Sequence, residues 1–235
     1  MPELPEVEVT RLGLKPLLNL NVGRVIIRNY SLRWPINTAL PKLLKNQTLL
    51  DLNRRGKYIL AKFTSGTLII HLGMSGRLCI VSSGEALNKH DHVDFQFKEN
   101  NLILRYRDPR RFGSILWTEE DPHNHKLIKN LGPEPLNEEF DAKYLFIRLK
   151  NKKQCIKNAI MDSHVVVGVG NIYASEALHD SGIRPNRISR KVSMKEIGSL
   201  VKSIKNIIKD AIKKGGSTMN DFFDVNGKNG YFQNE

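Results

Sequence analysis

Several short segments of this 235-residue chain place reactive or ligand-binding side chains at spacings that chemistry could use. Lys57 opens the run Lys57-Tyr58-Ile59-Leu60-Ala61-Lys62-Phe63, where strand alternation puts it on the apolar face with Ile59, Ala61 and Phe63. A lysine at the rim of such a face is partly desolvated, which lowers its pKa and suits it to proton transfer; the plainer alternative is a lysine that snorkels to water. Leu104-Arg105-Tyr106-Arg107-Asp108-Pro109-Arg110-Arg111-Phe112-Gly113 gathers four arginines and two aromatic rings around a proline turn. Arginines pair with phosphates and base edges, and an apolar ring at a loop tip can wedge into a base stack. The alternative is an arginine-rich solvated strand with Phe112 in the core. His90-Asp91-His92 lacks the further nearby ligands a metal needs, so His90 reads as a phosphate-facing residue on a basic loop. Met74 sits at a glycine turn within His71-Leu72-Gly73-Met74-Ser75-Gly76, where ordinary packing is the default.

The run Val165-Val166-Val167-Gly168-Val169-Gly170-Asn171-Ile172-Tyr173 has the outline of a strand, a glycine turn and a helix. A dinucleotide fold needs Gly or Ala at the sixth place of G-x-G-x-x-G, and that place holds Tyr173, so this reading fails. A helix–turn–helix fits better. One helix ends near Asp162-Ser163, Asn171 caps the next, and Gly182 and Pro185 close it. The N-terminus of that second helix could attract a phosphate, or the hairpin could be purely structural.

These segments need elements to hold them. Val7, Val9, Leu12, Leu14, Leu17 and Leu18 predict a first helix, with Pro5 at its first position and Glu6 and Glu8 in its first turn. From Val22 to Trp117, short β-branched and aromatic runs between turn residues predict an antiparallel sandwich or barrel. Leu131-Gly132-Pro133-Glu134-Pro135-Leu136 reads as a linker, and the chain beyond it as helical. The clearest helix carries the stripe Met194, Ile197, Leu200, Val201, Ile204, Ile208, Ala211 and Ile212 and stops at Gly215-Gly216. The expected layout is therefore α+β, with an N-terminal domain over 1–130, a linker over 131–137 and a helical domain over 138–235.

Net charge is +13, with 20 Lys and Arg against 13 Asp and Glu through Pro135 and 17 against 11 beyond it. Both halves are basic, as a protein gripping one polyanion between them would be, although a lysine-rich genome gives the same excess. No apolar run reaches the length of a membrane span, and the acidic, proline-broken start does not read as a secretory signal. A reducing, cytoplasmic setting is expected. Cys79 and Cys155 are too few for a disulfide framework or a zinc site.

Taken together, the ordered motifs resemble the formamidopyrimidine-DNA glycosylase family. They are Pro2-Glu3-Leu4-Pro5-Glu6-Val7-Glu8, Arg54-Arg55-Gly56-Lys57-Tyr58, His71 to Gly76, Asp108 to Gly113, Met161-Asp162, Gly168 to Leu178 and Gly230-Tyr231-Phe232. The resemblance implies a monomer with a β-sandwich domain facing a helix–two-turn–helix domain, and double-stranded DNA in the cleft. It implies removal of oxidised purines, chiefly 8-oxoguanine and formamidopyrimidines, followed by strand nicking at the abasic site. Pro2 would be the nucleophile once Met1 is removed, because a secondary amine attacking C1′ gives an iminium directly. Glu3 would carry protons during base loss and ring opening, Lys57 during the eliminations, and Glu6 would support the site. Met74, Arg110 and Phe112 would fill the gap left by the flipped nucleotide. His71, His90, Arg110, Lys152, Lys157 and Asn171 would contact DNA, and Gly216 to Tyr231 would form a loop closing over the base.

Members of that family continue into a zinc ribbon of four cysteines whose hairpin arginine grips a phosphate. The sequence given stops at Glu235, so no metal or other cofactor is expected within it. Loss of one charged phosphate clamp costs about 1.5–3 kcal/mol of binding. Two readings follow: an active glycosylase and lyase, or a catalytically impaired remnant that still binds DNA. An RNA-binding structural protein is disfavoured, since basic charge alone does not call for Pro2 and Glu3 together.

Overall fold

The computed structural model describes residues 1–216. The first helix, α1, spans Leu4–Gly13, and Glu3 is its N-cap. Pro5 is therefore its second residue, one place later than the sequence reading put it. The helix does not run on to Leu18. Pro16 has no N–H to continue it, and Lys15–Leu17 form a single 3-10 turn instead.

Alternating and apolar runs between residues 22 and 118 become eight strands: β1 (Val22–Ile27), β2 (Leu49–Arg55), β3 (Tyr58–Phe63), β4 (Thr67–His71), β5 (Arg77–Ser82), β6 (Asp91–Phe97), β7 (Leu102–Arg107) and β8 (Ser114–Thr118). They pair into two antiparallel four-stranded sheets, ordered β1-β6-β7-β5 and β2-β3-β4-β8. Val25, Phe95, Leu104 and Tyr106 from the first sheet share one core with Leu52, Ile59, Phe63, Leu68 and Ile115 from the second. A short helix after β1, α2 (Leu40–Leu44), was not foreseen; five residues beginning Leu-Pro carry too little periodicity to show.

The helical part holds α3 (Ala142–Leu149), α4 (Ile156–Met161), α5 (Asn171–Asp180) and α6 (Met194–Lys213). Ser193 caps α6 with a reciprocal Ser193–Glu196 box. Val165 to Val167 form bends and turns rather than a strand. Gly170, not Asn171, caps α5, and Asn171 is the first helical residue. Gly182 closes α5 at φ +68°.

Two features join the halves. Val7 of α1 packs in the sandwich core while Leu4, one turn earlier, packs in the helical core with Ala174, Leu200 and Ile204. The irregular segment 131–136 is also strapped to the β2–β3 hairpin. Glu134 accepts bonds from Arg54 (2.7 Å), Arg55 (3.0 Å) and the Gly56 N–H (2.7 Å), and Arg55 also donates to the Leu131 carbonyl at 2.9 Å. Charge-assisted bonds of this kind, half shielded from solvent, make the linker a fixed part of the structure.

Candidate active site

The start of α1 lies against the start of α5. Glu3 is buried, and its carboxylate accepts the N–H groups of Gly170 (2.7 Å), Ile172 (2.9 Å) and Tyr173 (3.4 Å). The helix terminus that the sequence offered to a phosphate is thus filled by the protein's own carboxylate. The fit leaves no room for a side chain at Gly170, where a Cβ would stand 2.3 Å from the Glu3 Cδ. Glu6 is fully buried beside it. Its Oε2 accepts the Glu3 N–H at 2.8 Å, and its Oε1 accepts the Tyr173 hydroxyl at 2.5 Å. Pro2 is buried at the head of this arrangement, and Met1 is 40% exposed.

Lys57 is a turn residue rather than the first residue of a strand, since β3 begins at Tyr58. Gly56 at φ +56° makes the two-residue β2–β3 turn, and the Glu134 strap holds it in place. Burial pushes the Lys57 ammonium below the ordinary amine range, while the charges of Glu3 and Glu6 pull it back up. Burial likewise pushes the Glu3 carboxyl above its usual range, against the Lys57 charge and the Ile172 amide. The two shifts run toward each other, the pattern of groups set up for proton transfer. His71 ends β4 beside them. Burial, helped by the charges of Lys57 and Arg33, lowers its pKa to about 4. Its Nδ1 accepts the Gly73 N–H at 3.0 Å, which leaves the proton of the neutral ring on Nε2.

Lys57 and His71 line a cavity of about 150 Å³ against Gly168 and Val169. His71 also lines a larger one of about 650 Å³, together with Met1, Arg33, Met74, Arg110 and Phe112. The loops that close this larger cavity are knotted by Asp108. That fully buried carboxylate accepts from Ser75 Oγ (2.7 Å), Tyr106 OH (3.1 Å) and the Gly113 N–H (2.9 Å). Its backbone carbonyl accepts His92 Nε2 at 2.8 Å, and its N–H donates to the His90 carbonyl at 3.1 Å. One residue therefore sets the relative positions of His90, Met74 and the Arg110–Phe112 tip. At that tip Phe112 is 47% exposed, with the Arg110 guanidinium 4.9 Å from its ring centre.

The model of the formamidopyrimidine-DNA glycosylase N-terminal domain matches residues 1–115, and that of the family's H2TH domain matches residues 131–223. The chain belongs to the formamidopyrimidine-DNA glycosylase family. It is 50% identical over 233 residues to the enzyme so named from Methylobacillus flagellatus, covering 99% of this chain and 83% of that one. Identity to the Marinomonas relative is 52% over 236 residues, covering 100% of this chain and 87% of the other. Among solved structures, the Fpg protein of Thermus thermophilus superposes with a TM-score of 0.88 at 31% identity, covering 99% of this chain and 85% of that one. The Lactococcus lactis protein, in complex with DNA containing an oxidised pyrimidine, gives 0.90 at 31% identity over 99% of this chain and 86% of that one.

Within this glycosylase fold, the four clustered arginines divide into two pairs. Arg105 and Arg107 do not face a ligand: they bond Asp94 (2.9 Å) and Asp91 (2.5 Å) on the neighbouring strand β6. Burial opposes the charges of both aspartates, but the guanidinium bonds win and hold their carboxyls below the usual range. Arg110 and Arg111 are the exposed pair. On the helical side, Lys152 pairs with Asp162 at 3.1 Å, Lys157 is half-buried in the first turn of α4, and Asn171 is exposed at the start of α5. The structure thus gathers Pro2, Glu3, Glu6, Lys57 and His71 at one junction, and Met74, Arg110 and Phe112 around the adjoining cavity. Lys152, Lys157 and Asn171 belong to the helical side. The expected closing loop, apart from Gly216, lies outside the described residues.

Sequence reading gave no role to Tyr173, Asp108, Ser75 or Arg33. Their partners lie as far as 170 residues away, and no local pattern carries pairings of that range. Among the described residues, no group of three or more His, Cys, Asp or Glu side chains converges to hold a metal ion. No helix among them is long and apolar enough to cross a membrane.

Proposed function

We propose that this chain is a base-excision DNA glycosylase with abasic-site lyase activity, acting on oxidised purines and working in the cytoplasm. One observation carries the reading: Pro2 is buried at the head of α1 next to Glu3, whose carboxyl is raised, while Lys57, whose amine is lowered, lines a small cavity that shares His71 with the larger one lined by Met1. While Met1 is attached, the Pro2 nitrogen is part of a peptide bond, so its removal frees the amine. That nitrogen attacks C1′ of the damaged nucleotide, and the glycosidic electron pair leaves with the base, which takes up a proton. Glu3 serves the proton transfers of base loss and sugar-ring opening, which leaves an iminium. Loss of a C2′ proton then expels the 3′ phosphate, with Lys57 as the amine that moves protons. Met74, Arg110 and Phe112 occupy the space of the extruded nucleotide, His90, Arg110, Lys152, Lys157 and Asn171 hold backbone phosphates, and His71 contacts the DNA.

Support for a DNA substrate comes from the solved relatives, which include a Lactococcus lactis enzyme bound to abasic-site DNA. Borohydride reduction in the presence of duplex carrying 8-oxoguanine should trap a covalent protein–DNA complex, and Pro2→Gly should abolish most of it. Salt-sensitive DNA binding with no trapping and no product would instead establish a binding remnant.

A further inference from the structure

We propose that Tyr173 is a positioning residue for the nucleophile, acting through Glu6 on the peptide bond that joins Pro2 to Glu3; the inference rests on the glycosylase reading above.

Tyr173 is 1% exposed and reaches both acidic residues of the site from one position on α5. Its backbone N–H points to the Glu3 carboxylate at 3.4 Å, and its hydroxyl donates to Glu6 Oε1 at 2.5 Å. The other oxygen of that carboxylate accepts the Glu3 N–H at 2.8 Å. This N–H belongs to the amide whose carbonyl is the carbonyl of Pro2. A continuous path of two hydrogen bonds therefore runs from the phenol to the peptide group carrying the reactive ring.

An N-terminal residue is hard to aim. It has a chain on one side only, and a proline nucleophile has no side-chain hydrogen bond with which to orient itself. Here the aim comes from the Pro2–Glu3 peptide plane, whose carboxylate clamp spans only a few atoms. Glu6 cannot hold that plane unless its own rotamer is fixed, and the Tyr173 hydroxyl fixes its far oxygen. In a buried, low-dielectric site such a bond is strong and its loss costly. Tyr173 belongs to the helical half and Glu6 to α1, so the bond also sets the nucleophile against the surface that holds DNA.

Tyr173→Phe keeps the ring and its packing and removes the donor. In single-turnover assays its borohydride-trappable complex should form about 10- to 100-fold more slowly, the range expected for a misplaced reacting group. The factor should be the same on 8-oxoguanine duplex and on duplex with a preformed abasic site, because both steps use the same amine. Affinity for duplex bearing a tetrahydrofuran abasic analogue should be unchanged, which also reports that the variant is folded. Glu6→Asp draws the acceptor away from the phenol and should show the same defect. Tyr173→Phe added to Glu6→Asp should then slow trapping by no more than about twofold, because the path is already cut. Wild-type rates in Tyr173→Phe, a slowing confined to the lesion duplex, a matching loss of affinity, or full additivity in the double variant would each overturn the proposal. Failure of the wild type to trap at all would instead remove the glycosylase reading, and this proposal with it.

Discussion

The Glu3 carboxylate occupies the N-terminus of α5 by accepting the Gly170 N–H at 2.7 Å, across 167 residues of chain. A group proposed to move protons is thus also a helix cap that adds a contact between the two halves of the molecule. Charge on Glu3 favours the cap, because a helix N-terminus stabilises an anion, while burial disfavours that charge.

Gly170→Ala should damage both roles at once. A methyl group 2.3 Å from the Glu3 Cδ forces the carboxylate off the helix terminus. Overpacking of this kind costs about 1–3 kcal/mol, so urea midpoints should fall and single-turnover excision should drop more steeply than DNA affinity. Unchanged excision with a lower midpoint would show that Glu3 tolerates displacement.

His71 should make stability depend on pH in a definite window. Its folded pKa is about 4, against 6.5 for the unperturbed ring. Between those values the unfolded chain takes a proton that the folded one refuses, so stability falls as pH drops from 6.5 toward 4 and levels off below it. The loss is about 3 kcal/mol. His71→Asn can keep an acceptor for the Gly73 N–H and cannot titrate there. Melting temperatures measured from pH 4 to 8 should show a shallower acid slope for the variant.

The arginines of residues 105–111 should separate into two classes. Asp94→Ala leaves the buried Arg105 with only its longer carboxylate contact, to Asp91 at 3.5 Å, and should cost up to about 3–5 kcal/mol in denaturant unfolding, with little change in DNA affinity of the folded fraction. Arg110→Ala should leave the melt unchanged, because that side chain is exposed, and should weaken binding to a tetrahydrofuran-containing duplex. The reverse pattern for either variant would contradict the division.

Asp108→Asn tests the knot beneath the cavity. It puts an amide where one oxygen accepts from Ser75 Oγ and the other from Tyr106 and Gly113. At least one buried donor loses its partner, at about 1–3 kcal/mol. Loosening of the Met74 and Phe112 loops should appear as faster amide exchange at Gly113 than in the wild type.

Much of this architecture was legible in the sequence. Runs such as Thr67 to Leu72 and Ile115 to Trp117 announced strands because both faces of those strands bury apolar side chains, and the α6 stripe announced its helix. The environments of the polar residues were not legible. Arg105 and Arg107 looked available because their partners, Asp94 and Asp91, lie on another strand at a register that no local pattern encodes. Lys57 was read as desolvated through strand alternation; the structure places it in a turn, and its surroundings include Glu3 and Glu6 from the other end of the domain. Asn171 was read as a cap because a side-chain oxygen commonly caps a helix. Here the carboxylate of Glu3 supplies that oxygen, and glycine takes the capping position.

Leu4 and Val7 lie one turn apart on α1 yet belong to different cores, and α1 also packs against α6. During synthesis, the earliest residues to leave the ribosome must therefore wait for the latest of these helices before their own burial is complete. The sandwich can close around Val7 while Leu4 still has no partners. Catalytic competence then appears as the final event of folding, so a chain interrupted before residue 194 would hold a finished β-domain and an unassembled nucleophile.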